Sequence, residues 1–125
     1  MSKKILIEAM FNQFSSFFTE LTKMYPEDPE FPTFTSNLQL MKMTNPMMVV
    51  RYVKSEIIDP FGDKIAIRDE SFFLNQDFSY RDDVNLNIVD KLKQYIAGMS
   101  PLTKNIVWSY IEIITKLATK ILESQ

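Results

Sequence analysis

The 125-residue chain has no cysteine and no histidine. The first absence excludes disulfides and thiolate metal sites, and it fits a life in the cytosol. The second removes the commonest general base at neutral pH and the commonest metal ligand. An enzyme built from what remains would run on carboxylates, Lys or Tyr; the expectation is a protein with no catalytic residues, no cofactor and no metal. No apolar run approaches membrane-spanning length. The net charge of −2 creates no global field that would draw nucleic acid or anionic lipid. Lys3 and Lys4 precede the apolar ILIEAMF, but Glu8, Asn12 and Gln13 break that run and no small-residue cleavage site follows. An ordinary amphipathic helix is expected there, not a signal peptide.

The chain is rich in phenylalanine and methionine, with ten and eight residues against two glycines. That mix favours a helical core filled by large, adaptable side chains. At this length one domain, residues 1–125, is expected, able to bury roughly two-thirds of its unfolded surface without a staple. The organising stretch is Ser100 to Leu122, SPLTKNIVWSYIEIITKLATKIL. Asn105, Ser109, Glu112, Lys116, Thr119 or Lys120, and Glu123 recur in steps of three and four, drawing one narrow polar stripe on a 3.6-residue period. The rest of the circumference is apolar, more than one neighbouring helix can cover. The expected fold is therefore all-α, a single-domain bundle of five to six helices with a central, mostly buried C-terminal helix. Gly98 can close the preceding helix, Ser100 can cap this one, and Pro101 fits its first position.

Earlier in the chain, Ile7, Met10, Phe11, Phe14, Phe17, Phe18, Leu21 and Met24 share one face of a helix spanning Ser2 to Met24. They are read as core facing the last helix. Tyr25 to Pro32, YPEDPEFP, holds three prolines and is expected to be a turn. Phe34, Leu38 and Met41 mark a short helix ending near Thr44; Asn45 and Pro46 then start another that runs to Asp59-Pro60. Asp59 to Tyr80 is the least regular part, with helical turns expected over a lone strand. Its window from Asp59 to Glu70 places acids at the first, fifth and twelfth positions of a calcium loop. Phe61 at the third position and Lys64 where the sharp turn needs glycine rule calcium out. Asp69 is read as a cap for the SFFL turn, with Phe72, Phe73, Leu74 and Phe78 as an apolar plug. After the polar SYRDDVNLN, a helix from Leu86 to Ala97 buries Ile88, Val89, Leu92, Tyr95 and Ile96, with Met99 just beyond.

The order formed by YPEDPEF, TNPMMVVRYV, DPFGDKIAIRDESFFLNQDFS and KLKQYIAGMSPLTKNIVWSYIEIITKLA resembles small all-helical proteins of nucleocytoplasmic large DNA viruses, the giant viruses. The resemblance rests on the aromatic DESFFL segment and the helix carrying Trp108 and Tyr110, and it covers most of the chain. It implies a viral protein in the host cytoplasm or the particle, and it implies no activity.

Three functions compete at this point. The leading one is a non-enzymatic protein–protein interaction or structural module, a virion component or gene-expression accessory, whose partner is another protein. Met41, Met43, Met47 and Met48, with Phe72 and Phe73, are its candidate contacts, because thioether chains are flexible and polarisable and suit repackable surfaces. The alternative is a nucleic-acid accessory that uses Lys91, Lys93, Lys104, Lys116 and Lys120 of the last two helices, joined by Arg51 and Lys54 and interrupted by Asp90, Glu112 and Glu123. Third is a magnesium enzyme assembled from Asp59, Asp63, Asp69, Glu70 and Asp77, of which local spacing gives no sign. Surplus apolar surface on the first or last helix also points to a homodimer.

Overall fold

The computed structural model describes residues 2–69 and 88–124, with the side chains of 88–91 left aside. Every regular element among the described residues is helical. Helix α1, Lys3–Met24, opens on Ser2, whose hydroxyl oxygen accepts from the Ile5 N–H at 3.2 Å. It buries Leu6, Met10, Phe11, Phe14, Phe17, Phe18 and Leu21, the face read from its period with Leu6 added. Ile7 and Met24 are half-buried at its edges. The ring of Phe17 stacks on Tyr110 with centroids 5.1 Å apart, and Phe18 packs against Phe14 and Phe34.

Helix α2, Glu30–Thr44, starts two residues before the expected end of the proline-rich turn. Pro32 is therefore inside a helix. It stands in the first turn, where N–H groups have no intrahelical partner, so its missing donor costs nothing there. The Asp28 carboxylate takes the Glu30 N–H at 2.9 Å, and early entry into the helix puts Phe31 in the core.

Helix α3, Pro46–Val53, follows Asn45, whose side chain makes no capping bond. It runs through a π-helical turn, Lys54–Ile58, into helix α4, Asp59–Ala66. Asp59-Pro60 thus does not end the helix, contrary to expectation. The Asp59 N–H already bonds back five residues to the Lys54 carbonyl. That wider turn relieves the clash between the proline ring and the preceding carbonyls, at a point where the i−4 bonding pattern is already interrupted. Phe61 and Ile65 of α4 are buried, while Ile67 is exposed.

Helix α4 ends in a Schellman arrangement. The Arg68 N–H bonds the Ile65 carbonyl at 3.0 Å and the Asp69 N–H bonds the Lys64 carbonyl at 2.8 Å. Arg68 occupies the left-handed position, φ 53°, where glycine is usual. The expected cap role of Asp69 for SFFL, and the plug itself, concern residues outside those described.

Helix α5, Ile88–Ile96, contributes Leu92 and Ile96 to the core, with Met99 buried just beyond. The turn closes through bonds from Gly98 N–H to Tyr95 O and from Met99 N–H to Ile96 O, without a left-handed glycine. Ser100 then caps helix α6, Pro101–Glu123, its oxygen accepting from the Thr103 N–H at 3.2 Å. Helix α6 packs on α1, α3, the π turn and α4. Trp108 and Ile114 are 5% and 3% exposed, and Val107, Ala118 and Ile121 are fully buried. The buried side chains of the six helices among the described residues form one core. Besides its polar stripe, α6 exposes the apolar side chains Leu102, Ile106 and Ile113 on one flank.

Candidate contact site

The methionines gather where α2 turns into α3. Leu38 and Met41 lie on the buried face of α2, Met41 at 8% exposure. Leu40 and Met43 each come two residues later, which at 3.6 residues per turn rotates them by about 200°. They accordingly face outward, at 61% and 84% exposure. Met48, in the first turn of α3, is 42% exposed, and Met47 beside it is half-buried against the core. Of the six expected contact residues, Met43 and Met48 are on the surface, Met47 is at its edge and Met41 is in the core. Phe72 and Phe73 lie outside the described residues.

Polar groups around this corner are engaged elsewhere. Lys42 pairs with Glu8 of α1 at 3.5 Å, the Gln39 amide donates to Ser15 at 3.2 Å, and the Thr44 hydroxyl donates to the Leu40 carbonyl. What remains exposed at the corner is thioether and leucine surface beside the Asn45 amide. It has the chemistry to bury against another apolar surface, and it holds no acid, base or metal ligand aimed outward.

The acids are dispersed. Asp59 binds Lys54 at 2.9 Å, Asp69 lies 3.9 Å from Lys64, and Asp63 is exposed. Glu70 and Asp77 are outside the described residues. Among the described residues no three acids stand close enough to hold a metal ion. Glu112 sits opposite Arg68, which donates from Nε at 2.8 Å and from Nη1 to the Asn105 side chain. The Arg68 hydrogen bond, reinforced by its charge and that of Lys116, holds the Glu112 carboxyl below the usual carboxylate range. Tyr25 stacks on Tyr95 at 3.9 Å, and burial pushes its phenol up, so it stays protonated at neutral pH. The Tyr95 hydroxyl donates to Asp28. Each of these groups ties two segments together.

The expected nucleic-acid lysines separate. Lys116 and Lys120 are exposed on α6, whereas Lys93 and Lys104 are half-buried and engaged in other interactions. Lys104 is twelve residues from Lys116, about a third of the helix circumference away. The Lys91 side chain lies outside the description. Sequence reasoning missed Leu40, although its offset from Leu38 and Met41 on a helical period was a usable signal. It also missed Arg68, for which the sequence carries no signal. No helix of the described residues is long and apolar enough to cross a membrane. Comparison of the chain with family models, curated proteins and solved structures finds no match.

Proposed function

We propose that this protein works by contact and not by chemistry, docking another protein on the α2–α3 corner. The observation that carries the reading is the outward set Leu40, Met43 and Met48, three large apolar side chains within nine residues of chain. Isolated exposed apolar residues are ordinary, but grouped ones bury favourably against a partner. Methionine suits such a surface because its unbranched thioether repacks against different shapes. The absence of histidine and cysteine from the sequence points the same way, since it removes the most usual nucleophile and base.

The test compares the wild-type chain with the triple variant Leu40→Glu, Met43→Glu, Met48→Glu by quantitative affinity capture from the cells in which the protein is expressed. Both must first give the same thermal melt. The expected result is one or a few proteins retained by the wild type and lost from the variant. Identical retained sets would sink the reading.

A further inference from the structure

A second surface, sharing no residue with the corner, lies between α4 and the second half of α6. We infer that this groove docks an amphipathic, carboxylate-bearing helix of a partner protein. The groove encloses about 360 Å³ and its floor is Ile58, Gly62 and Ile65. Its α6 wall is Thr115, Lys116, Thr119 and Lys120. The two threonine hydroxyls donate to carbonyls of their own helix, Glu112 at 3.0 Å and Thr115 at 2.9 Å, so neither offers a donor to the groove. Ile65 and Thr115 also line an inner apolar cavity of about 50 Å³ that reaches Trp108. An apolar ridge is what such a floor takes.

Gly62 is the second argument. Glycine in a helix interior weakens the helix relative to alanine, and among the described residues none packs closely enough on it to require a missing side chain. Its φ is not positive, and among the described residues a Cβ built on it meets only Ile58 Cγ2, at 3.9 Å. The missing side chain keeps the floor low, as it must be where another helix approaches closely.

Charge selects the occupant. Lys116 and Lys120 stand one turn apart on the rim, and neither forms an ion pair among the described residues. Glu123 lies one turn further on, at the end of the groove. A partner helix with two carboxylates a turn apart matches the lysines, its basic end lying over Glu123. Single-stranded nucleic acid fits less well, because among the described residues no aromatic ring lines this groove to stack a base.

The probe is a fluorescein-labelled four-turn peptide with leucines along one face and glutamates flanking them, compared with the same peptide carrying lysine for glutamate. Fluorescence anisotropy should show saturable binding of the glutamate peptide to the wild-type chain. Gly62→Leu should weaken it at least tenfold while the chain still melts cooperatively, since a Cβ at Gly62 makes only an ordinary contact with Ile58 among the described residues. Lys116→Glu with Lys120→Glu should weaken the glutamate peptide tenfold and improve the lysine peptide. Amide shifts on binding should fall at 58–65 and 115–120.

Equal affinity of wild type and Gly62→Leu would overturn the inference, as would indifference to the sign of the peptide charge. Displacement of the peptide by an oligonucleotide with steep salt dependence would assign the groove to nucleic acid instead. No binding by wild type, with Gly62→Leu altering the mass measured by light scattering, would assign it to a second copy. Cross-links placing residues 70–87 in the groove would assign it to the chain itself. The triple variant at the α2–α3 corner should bind the glutamate peptide normally, so the two readings fail separately.

Discussion

Trp108→Ala tests whether the last helix is the axis of the core. Trp108 is 5% exposed and stands among Phe14, Phe17, Phe61 and Ile114 around the inner cavity. An aromatic side chain of this size withdraws about 150–250 Å² from water. At about 25 cal/mol per Å² that is roughly 4–6 kcal/mol, and residual compactness of the denatured chain lowers it by roughly 10–40%. The expected loss is about 3–5 kcal/mol, the range for truncating buried aromatics. The surroundings already contain a void, so they have little material with which to refill the space. Leu102→Ala, on the same helix at 73% exposure, should stay within about 0.5 kcal/mol. Urea denaturation followed by far-UV circular dichroism measures both, and comparable slopes would show that stability alone has changed. A loss of this size is a large part of a domain's total stability of about 5–15 kcal/mol, so Trp108→Phe should accompany it as a graded, smaller loss. If Trp108→Ala costs no more than Leu102→Ala, the helix is not enclosed and the architecture argued above is wrong.

Met41 and Met43 divide the methionine cluster in the same way. Met41→Ala should cost about 2–5 kcal/mol as a core truncation, and Met43→Ala should stay within about 0.5 kcal/mol; equal costs in urea titrations would contradict the rotation of α2 described here. For Glu112, folding favours the ionised carboxyl, because Arg68 holds its pKa below the usual range. Its contribution is thus complete above the ordinary carboxylate pKa and disappears as pH falls through the depressed one. Glu112→Gln should therefore melt below wild type at neutral pH and level with it in strong acid; a gap that persists unchanged into strong acid would refute the ion pair's role.

The period of α6 was legible because it is written in side chains: Trp108, Ile114, Ala118 and Ile121 go inside, as their spacing requires. The cap at Ser100 was legible because a hydroxyl precedes Pro101 there, whereas Ser2, read as the first residue of its helix, turns out to cap it. Proline misled twice, for one reason. A proline breaks a helix only where its missing N–H would have been used or its ring meets the preceding carbonyls, and neither the early start of α2 nor the π turn ahead of Pro60 is visible from composition. The uncovered flank at Leu102, Ile106 and Ile113 was hidden too, because a helical period tells which residues share a face and not how many neighbours reach it. At the candidate site, methionine content located the corner, but the outward turn of Leu40 and the burial of Met41 needed the helix phase to be set.

Arg68 shows how the polar stripe of α6 is used. Packing of Phe, Met and Ile brings helices together with little preference for register, since such surfaces repack at modest cost. Directional contacts at the rim supply that preference: Lys42 to Glu8, Tyr95 to Asp28, and Arg68 to Glu112 and Asn105. The last is made by a residue in a backbone conformation that glycine would adopt with less strain. What arginine supplies and glycine cannot is a planar, charged fork long enough to cross from the end of α4 to two polar residues of α6. It anchors α4 against α6 only three residues beyond Ile65, the last residue on the floor of the groove. Among the described residues the groove thus has a polar clamp beyond one end and Ile58 of the π turn at the other. A groove held in this way by contacts within the chain is the kind of surface that a helix of the sort inferred above could enter without the cost of ordering it.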